Sequence, residues 1–121
     1  NLVTGVQTCA LPIYKEGRIV NMYDKVHLFG LFKEEDFFAP GENFQVFDLD
    51  GVCCGSTICY DLRFPELYRH LALQGAKIIF CPAEWPSARG DIWRLLLVAD
   101  NLTDSCFTKV SFAHSFRPPL H

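Results

Sequence analysis

Cys59 ends the apolar, β-branched run Gly51-Val52-Cys53-Cys54-Gly55-Ser56-Thr57-Ile58 and is followed at once by a turn and a helix start, Tyr60-Asp61-Leu62-Arg63-Phe64-Pro65-Glu66-Leu67. A thiol at such a strand-to-helix junction sits near the positive end of the helix dipole and near unpaired backbone N–H groups, both of which favour thiolate over thiol. That placement suits a nucleophile. The competing account is a structural cysteine at the end of a core strand, because free cysteine is among the most buried residue types.

The other cysteines, Cys9, Cys53, Cys54, Cys81 and Cys106, form no C-x-x-C pair, and His27, His70, His114 and His121 are equally scattered. This is poor spacing for zinc and for a disulfide framework, so reduced thiols in a cytoplasmic protein are expected, with no metal and no cofactor. The 121 residues are 50% hydrophobic and 14% aromatic, enough for a substantial core, and carry a formal charge of -3. Without a basic field the chain has no electrostatic case for nucleic acid, and no apolar run is long enough to span a bilayer. Asn101-Leu102-Thr103 fits the glycosylation triplet, which matters only in a secreted chain.

The elements that must position Cys59 read as α/β. Residues 18–24 form a mixed strand that Lys25 closes, and residues 30–43 are a loop or short helical segment whose charges Lys33, Glu34, Glu35 and Asp36 have a solvated acidic loop as their plain account. Runs 44–49 and 52–58 are strands joined by Asp50-Gly51, the two-residue signal of a type I′ hairpin. Pro65 suits a first helical turn, Phe64, Leu67, Tyr68 and Leu71 repeat at helical spacing, and Gly75 is a C-terminal stop. Residues 78–81 read as a fully buried strand, so strand, helix and strand make a right-handed crossover between parallel strands. Residues 84–89 are then a loop at the carboxyl end of that strand, where open α/β sheets place ligands. A second helix begins over 93–99, and residues 111–121 read as a ragged end.

Three stretches carry a resemblance: Tyr23-Asp24-Lys25-Val26-His27-Leu28-Phe29, Cys59-Tyr60-Asp61-Leu62-Arg63-Phe64-Pro65-Glu66, and Pro82-Ala83-Glu84-Trp85-Pro86. Together they resemble the lysine, cysteine and strand-end motifs of the nitrilase superfamily of carbon-nitrogen hydrolases, over about residues 15–97. The resemblance implies a fragment of a four-layer αββα sandwich. It implies Cys59 as nucleophile, Lys25 as the oxyanion-stabilising lysine with the Tyr60 backbone N–H as second donor, and Glu34, or Glu35 one register on, as the loop glutamate that orients Lys25. Arg63, Trp85 and Arg89 resemble pocket residues, and a guanidinium fork suits a substrate carboxylate; Arg63 is equally placed to pair with Asp61 or Glu66.

Two departures shape the domain reading. The family's general-base glutamate lies well upstream of the lysine, and here only Glu16 precedes Lys25, too close to serve. Beyond Leu97 the family's arginine, alanine, glutamate, asparagine pattern is replaced by Val98-Ala99-Asp100-Asn101. The expectation is therefore a non-native, adaptor-like leader over 1–13, the central part of a hydrolase domain over 14–97, and an uncertain segment over 98–121: an internal fragment of a longer, homo-oligomeric enzyme. The motifs look most like ω-amidases acting on 2-oxo-acid amides, with N-carbamoyl or aliphatic amide hydrolysis as the enzymatic alternative. A non-catalytic α/β binding module is the alternative of another class.

Overall fold

The structure, a computed structural model, describes residues 9–10, 16–104, 107–109 and 113–116, with side chains for residues 16–100. Its strands are β1 (Cys9–Ala10), β2 (Tyr23–Asp24), β3 (Phe47–Leu49), β4 (Val52–Ser56), β5 (Ile78–Phe80), β6 (Ala83–Pro86), β7 (Phe107–Lys109) and β8 (Ala113–Phe116), with helices α1 (Pro65–Leu73) and α2 (Gly90–Asp104). A four-stranded sheet runs in the order β3-β4-β5-β7, and two-stranded sheets join β1 to β2 and β6 to β8.

The hairpin β3–β4 is antiparallel, with Phe47 opposite Cys54. Asp50 and Gly51 turn it at φ of 55° and 80°, both positive as the type I′ turn requires. β4 pairs with β5 in parallel, Cys54 beside Ile78, and β5 pairs with β7 in parallel. β5 and β6 are separated only by Cys81 and Pro82, so their partners β7 and β8 follow them from the larger sheet into the smaller one.

Helix α1 opens on Pro65 at its first position, where a missing N–H costs nothing, and stops before Gly75 at a φ of 100°. Its buried stripe of Leu67, Tyr68 and Leu71 lies on the sheet face that Gly55 leaves open: a Cβ built on Gly55 would stand 3.0 Å from Leu71 Cδ1. Ile79, Cys81, Leu62, Ala76, Trp85 and Trp93 complete that core, with Ile92, Leu96 and Leu97 of α2 packed against it. Burying a Leu or Ile there stabilises by roughly 1.5–3 kcal/mol relative to exposure.

Several expectations need correction. The strand expected over 18–24 is only Tyr23–Asp24, with an isolated bridge at Ile19; Ile19 and Met22 stand exposed and give that stretch no buried apolar face. Strands expected over 44–49, 52–58 and 78–81 are shorter, at Phe47–Leu49, Val52–Ser56 and Ile78–Phe80; past Ser56 the Thr57 and Cys59 N–H groups still reach across to the carbonyls of Phe80 and Pro82, each at 2.9 Å. The loop expected over 84–89 is strand β6 followed by a single 3-10 turn, Ser87–Arg89. Its partner β8 occupies part of the stretch read as a ragged end, and pairing so distant leaves no local trace. Helix α2 begins earlier and runs further than expected, from Gly90 to Asp104. The side chains of Cys9, Cys106, His114 and His121 lie outside the described residues.

Among the described residues no helix is long and apolar enough to cross a membrane.

Candidate functional site

Cys59 is the first residue of a five-residue 3-10 turn, Cys59–Arg63, that links β4 to α1. Its φ of 45° places a non-glycine residue in the left-handed region, at a cost of about 1–3 kcal/mol that the surroundings must offset. They do so by fixing both sides of it. Cys59 N–H donates to Pro82 O at 2.9 Å, and the thiol donates to Glu84 O at 3.0 Å. The sharp reversal turns the sulfur out of the sheet and into a cleft.

Lys25 follows directly on β2 and is buried, at 2% exposure. An ammonium in such a place is costly unless paired, and Glu34 supplies the pair: Lys25 Nζ donates to its two carboxylate oxygens at 2.9 and 2.6 Å. Glu34 begins the second of two 3-10 turns, Gly30–Phe32 and Glu34–Asp36, separated by Lys33 in the left-handed region. Its Oε2 also accepts Phe29 N–H at 2.8 Å, which locks the loop onto the lysine segment. Gly41 closes the loop by donating its N–H to Lys25 O at 2.8 Å.

The choice between Glu34 and Glu35 is thereby made by geometry. Glu34 meets the lysine, and the Glu35 carboxylate points back toward Gly30. The plain account of this stretch as a solvated acidic loop therefore fails at Glu34.

The expected preference of Cys59 for the thiolate is not met. Burial is the largest influence and pushes the thiol above its ordinary range; Lys25 pulls it down, as do backbone hydrogen bonds at Glu84 and Tyr60, while Glu34 pushes it up. Desolvation outweighs the nearby cation and the backbone hydrogen bonds.

The cleft in front of the sulfur, about 240 Å³, is bounded by Phe29, Phe32, Tyr60, Trp85 and Pro86, with Arg63 and Arg89 as its cationic members and Glu84 as its acidic one. Arg63 pairs with neither Asp61 nor Glu66 as its main contact: its Cζ lies 5.3 Å from the centroid of the Trp85 ring. Trp85 is fixed in turn by its Nε1–H, which donates to Arg89 O at 2.8 Å. Cys59, Lys25, Glu34, Tyr60, Arg63, Trp85 and Arg89 thus converge on one region from three separate parts of the chain. Sequence reading missed Asp61, a fully buried carboxylate two residues past the cysteine whose oxygens meet Tyr23, His27 and Ile58. An acid inside an otherwise apolar turn was the available signal.

No group of three or more His, Cys, Asp or Glu side chains among the described residues is arranged to hold a metal ion. The arrangement is suited to acyl chemistry: a thiol at a strained turn, a buried ammonium held by a carboxylate, and a small aromatic cleft with two guanidinium groups.

Comparison with known proteins agrees with the fold and motifs. A 2-oxoglutaramate amidase of Bacillus subtilis is 44% identical over 93 residues, which are 77% of this chain and 36% of that protein. A deaminated glutathione amidase of Yersinia enterocolitica is 36% identical over 110 residues, 84% of this chain and 38% of that protein. Among solved structures, a CN-hydrolase superfamily protein of Xanthomonas campestris superposes with a TM-score of 0.78 at 30% identity, covering 91% of this chain and 43% of its own. An amidase of Nesterenkonia sp. AN1 superposes with a TM-score of 0.80 at 26% identity, covering 87% of this chain and 40% of its own. In that structure the acetamide moiety of fluoroacetamide is covalently added at the active-site cysteine. The chain therefore spans less than half the length of the relatives it matches. Residues 8–111 match the model of the carbon-nitrogen hydrolase family, and the chain belongs to that family.

Proposed function

We propose that these residues form the nucleophile and oxyanion half of an amidase that hydrolyses a small carboxamide to a carboxylic acid and ammonia. The observation that carries the reading is the placement of Cys59 at a cleft beside a buried Lys25–Glu34 pair. Cys59 loses its proton and its sulfur attacks the amide carbonyl carbon. The C–O π electrons move to oxygen, where the Lys25 ammonium and the Tyr60 backbone N–H meet the new charge. Collapse expels nitrogen, which takes a proton and leaves as ammonia, and a thioester remains on Cys59. Water then adds to the thioester carbonyl, and the acid leaves as the thiol regains its proton. Glu34 holds the Lys25 ammonium aimed through two hydrogen bonds.

The raised pKa of Cys59 makes a base necessary for the first step, and Glu34 already accepts three hydrogen bonds from Lys25 and Phe29. We therefore assign proton transfer to a glutamate outside these 121 residues and expect the chain alone to release no ammonia above background. The substrate class that fits the cleft is a small amide bearing a carboxylate, with Arg63 and Arg89 as its anchors and Trp85 as its wall. A 2-oxo-acid ω-amide meets that description and is what the name of the Bacillus relative specifies for that protein. Small-molecule amides are thus the proposed partners, in a cytoplasmic, cofactor-free enzyme that self-associates.

The test is ammonia release by a full-length enzyme carrying these residues, measured on a 2-oxo-acid ω-amide, an N-carbamoyl amino acid and a simple aliphatic amide. Preference for the first by kcat/KM supports the substrate reading, and preference for either of the others replaces it. No turnover of any, together with alkylation of Cys59 no faster than that of Cys53, would mark the site as a binding module.

A further inference from the structure

We propose that Asp61 is a positioning residue that holds Lys25 and Cys59 at their working separation, by bonding with one carboxylate to the backbone on either side of the site. The proposal rests on the reading of Cys59 and Lys25 as nucleophile and oxyanion partner, and concerns how that pair is kept together.

Asp61 has 0% exposure, and its two oxygens divide their work. Oδ1 accepts the backbone N–H of His27 at 2.8 Å and faces His27 Nδ1 at 2.8 Å. Oδ2 accepts the Tyr23 hydroxyl at 2.6 Å and the backbone N–H of Ile58 at 2.9 Å. Tyr23 and His27 flank Lys25 on the same segment, two residues before it and two after, and Ile58 is the residue before Cys59. One buried group therefore grips the lysine segment at two points and the cysteine turn at a third. The His27 ring is fixed from its other side by stacking on Phe64, centroids 3.7 Å apart and planes 5° from parallel.

The tie demands a carboxylate. Two backbone N–H groups from different segments point at different oxygens, and a carboxamide has only one oxygen to offer. Whichever way an asparagine amide is turned, one of the two N–H groups faces its NH₂ and loses its acceptor. Asp61→Asn thus keeps the shape of the side chain but cuts the link on the lysine side or on the cysteine side. A buried N–H left without an acceptor is costly, so the released segment moves.

The Cys59 thiol reports the separation because Lys25 is the charge that lowers its pKa. Its other influences are burial, the largest, which raises it, then the backbone at Glu84, Glu34 and the backbone at Tyr60, with Cys81 behind it. Loosening Lys25 raises the pH midpoint of Cys59 alkylation. Simple loss of the Asp61 negative charge would lower it, so the sign separates positioning from bulk electrostatics.

The experiment follows the pH profile of iodoacetamide modification of Cys59 in a full-length enzyme carrying this chain, for the parent, Asp61→Asn, Tyr23→Phe, Lys25→Met and Asp61→Asn with Lys25→Met. Asp61→Asn is expected to raise the midpoint by about half a pH unit or more, part of the 1–3 units an adjacent opposite charge is worth. Tyr23→Phe should shift it less, in the same direction. In the Lys25→Met background Asp61→Asn should add nothing, because the charge it positions is gone. An unchanged or lowered midpoint, or a shift of equal size in the Lys25→Met background, overturns the proposal. If Asp61→Asn does not fold, Tyr23→Phe decides alone, and a parent midpoint there counts against it. A Lys25→Met profile identical to the parent would instead bring down the underlying assignment of the pair.

Discussion

Residues 52–73 carry Cys59 on regular structure, β4 running through a 3-10 turn into α1, whereas residues 23–41 carry Lys25 and Glu34 on almost none. The cysteine half is held by sheet register and by a stripe of Leu67, Tyr68 and Leu71. Its buried polar groups also serve packing: Thr57 Oγ1 and Tyr68 OH share a hydrogen bond of 2.7 Å that fastens the end of β4 to α1. The lysine half has two strand residues and two single 3-10 turns; backbone bonds within the loop and from Gly41 N–H to Lys25 O shape it, and side chains tie it down, Glu34 to Phe29 N–H and Asp61 to His27 N–H. One half is built from repeating interactions that tolerate the loss of any one. The other combines irregular backbone bonds with a few side-chain ties that cross to Lys25 and to the cysteine turn.

The chemical consequence is sharpest at the two reactive groups. Cys59→Ala in a full-length enzyme should abolish turnover while leaving the fold in place, since Cys59 is half-buried at the cleft and loses only the thiol bond to Glu84 O, while its N–H bond to Pro82 O remains. Residual activity comparable with the parent would remove the nucleophile assignment. Lys25→Met comes next. It keeps most of the stem volume but removes the ammonium, and loss of one oxyanion donor costs about 10²–10³ in rate. The same change leaves Glu34 partly buried without its cation, so this variant should also melt earlier than the parent, unlike Cys59→Ala. A kcat within a few-fold of the parent would return Lys25 to a structural role.

Two glycines test the contrast through backbone packing. A Cβ on Gly41 would lie 2.3 Å from Asp24 O, a backbone atom that cannot step aside without moving the strand before Lys25. Gly41→Ala should therefore destabilise by about 3 kcal/mol and reduce kcat through Lys25. A Cβ on Gly55 meets the far end of Leu71 at 3.0 Å, and a leucine tip can rotate. Gly55→Ala should cost about 1 kcal/mol and leave kcat unchanged. Equal melting shifts for the two would erase the distinction between the halves.

The same division governed what could be read from the chain. α1 was legible because Pro65, the Leu67, Tyr68 and Leu71 spacing and Gly75 are local signals, and the β3–β4 turn was legible because Asp50-Gly51 demands positive φ. The Lys25 loop has no periodicity, so its glutamate register came only from resemblance and stayed open until Glu34 was seen against Lys25. β6 and β8 were missed because each owes its extended form to the other, across more than a helix of intervening chain. In the sequence Asp61 is only one of two open partners for Arg63, because sequence does not reveal burial, and burial is what lets its two oxygens serve both halves.

The smallest expected effect compares the two thiols nearest the site. Cys59 opens to the cleft, whereas Cys81 is closed in the core at 0% exposure between Thr57 and Tyr68, and burial pushes its pKa from an ordinary 9.0 up to about 11. A folded-state pKa above the unfolded one means that, between those values, the folded state holds a proton the unfolded state has released. Stability from this group is then fully present below pH 9 and is lost as pH rises towards about 11. Tyr68, raised well above its own ordinary value by the same burial, extends the loss to higher pH. Cys81→Ala should remove this component, so that urea midpoints of the variant fall less steeply than those of the parent between pH 9 and 10. Cys59→Ala, made at a group with an open side to water and a cation beside it, should flatten the same curve less. If the two variants flatten it equally, closure in the core does not raise Cys81 more than the open cleft raises Cys59, and the contrast between the closed thiol and the open one has no electrostatic part.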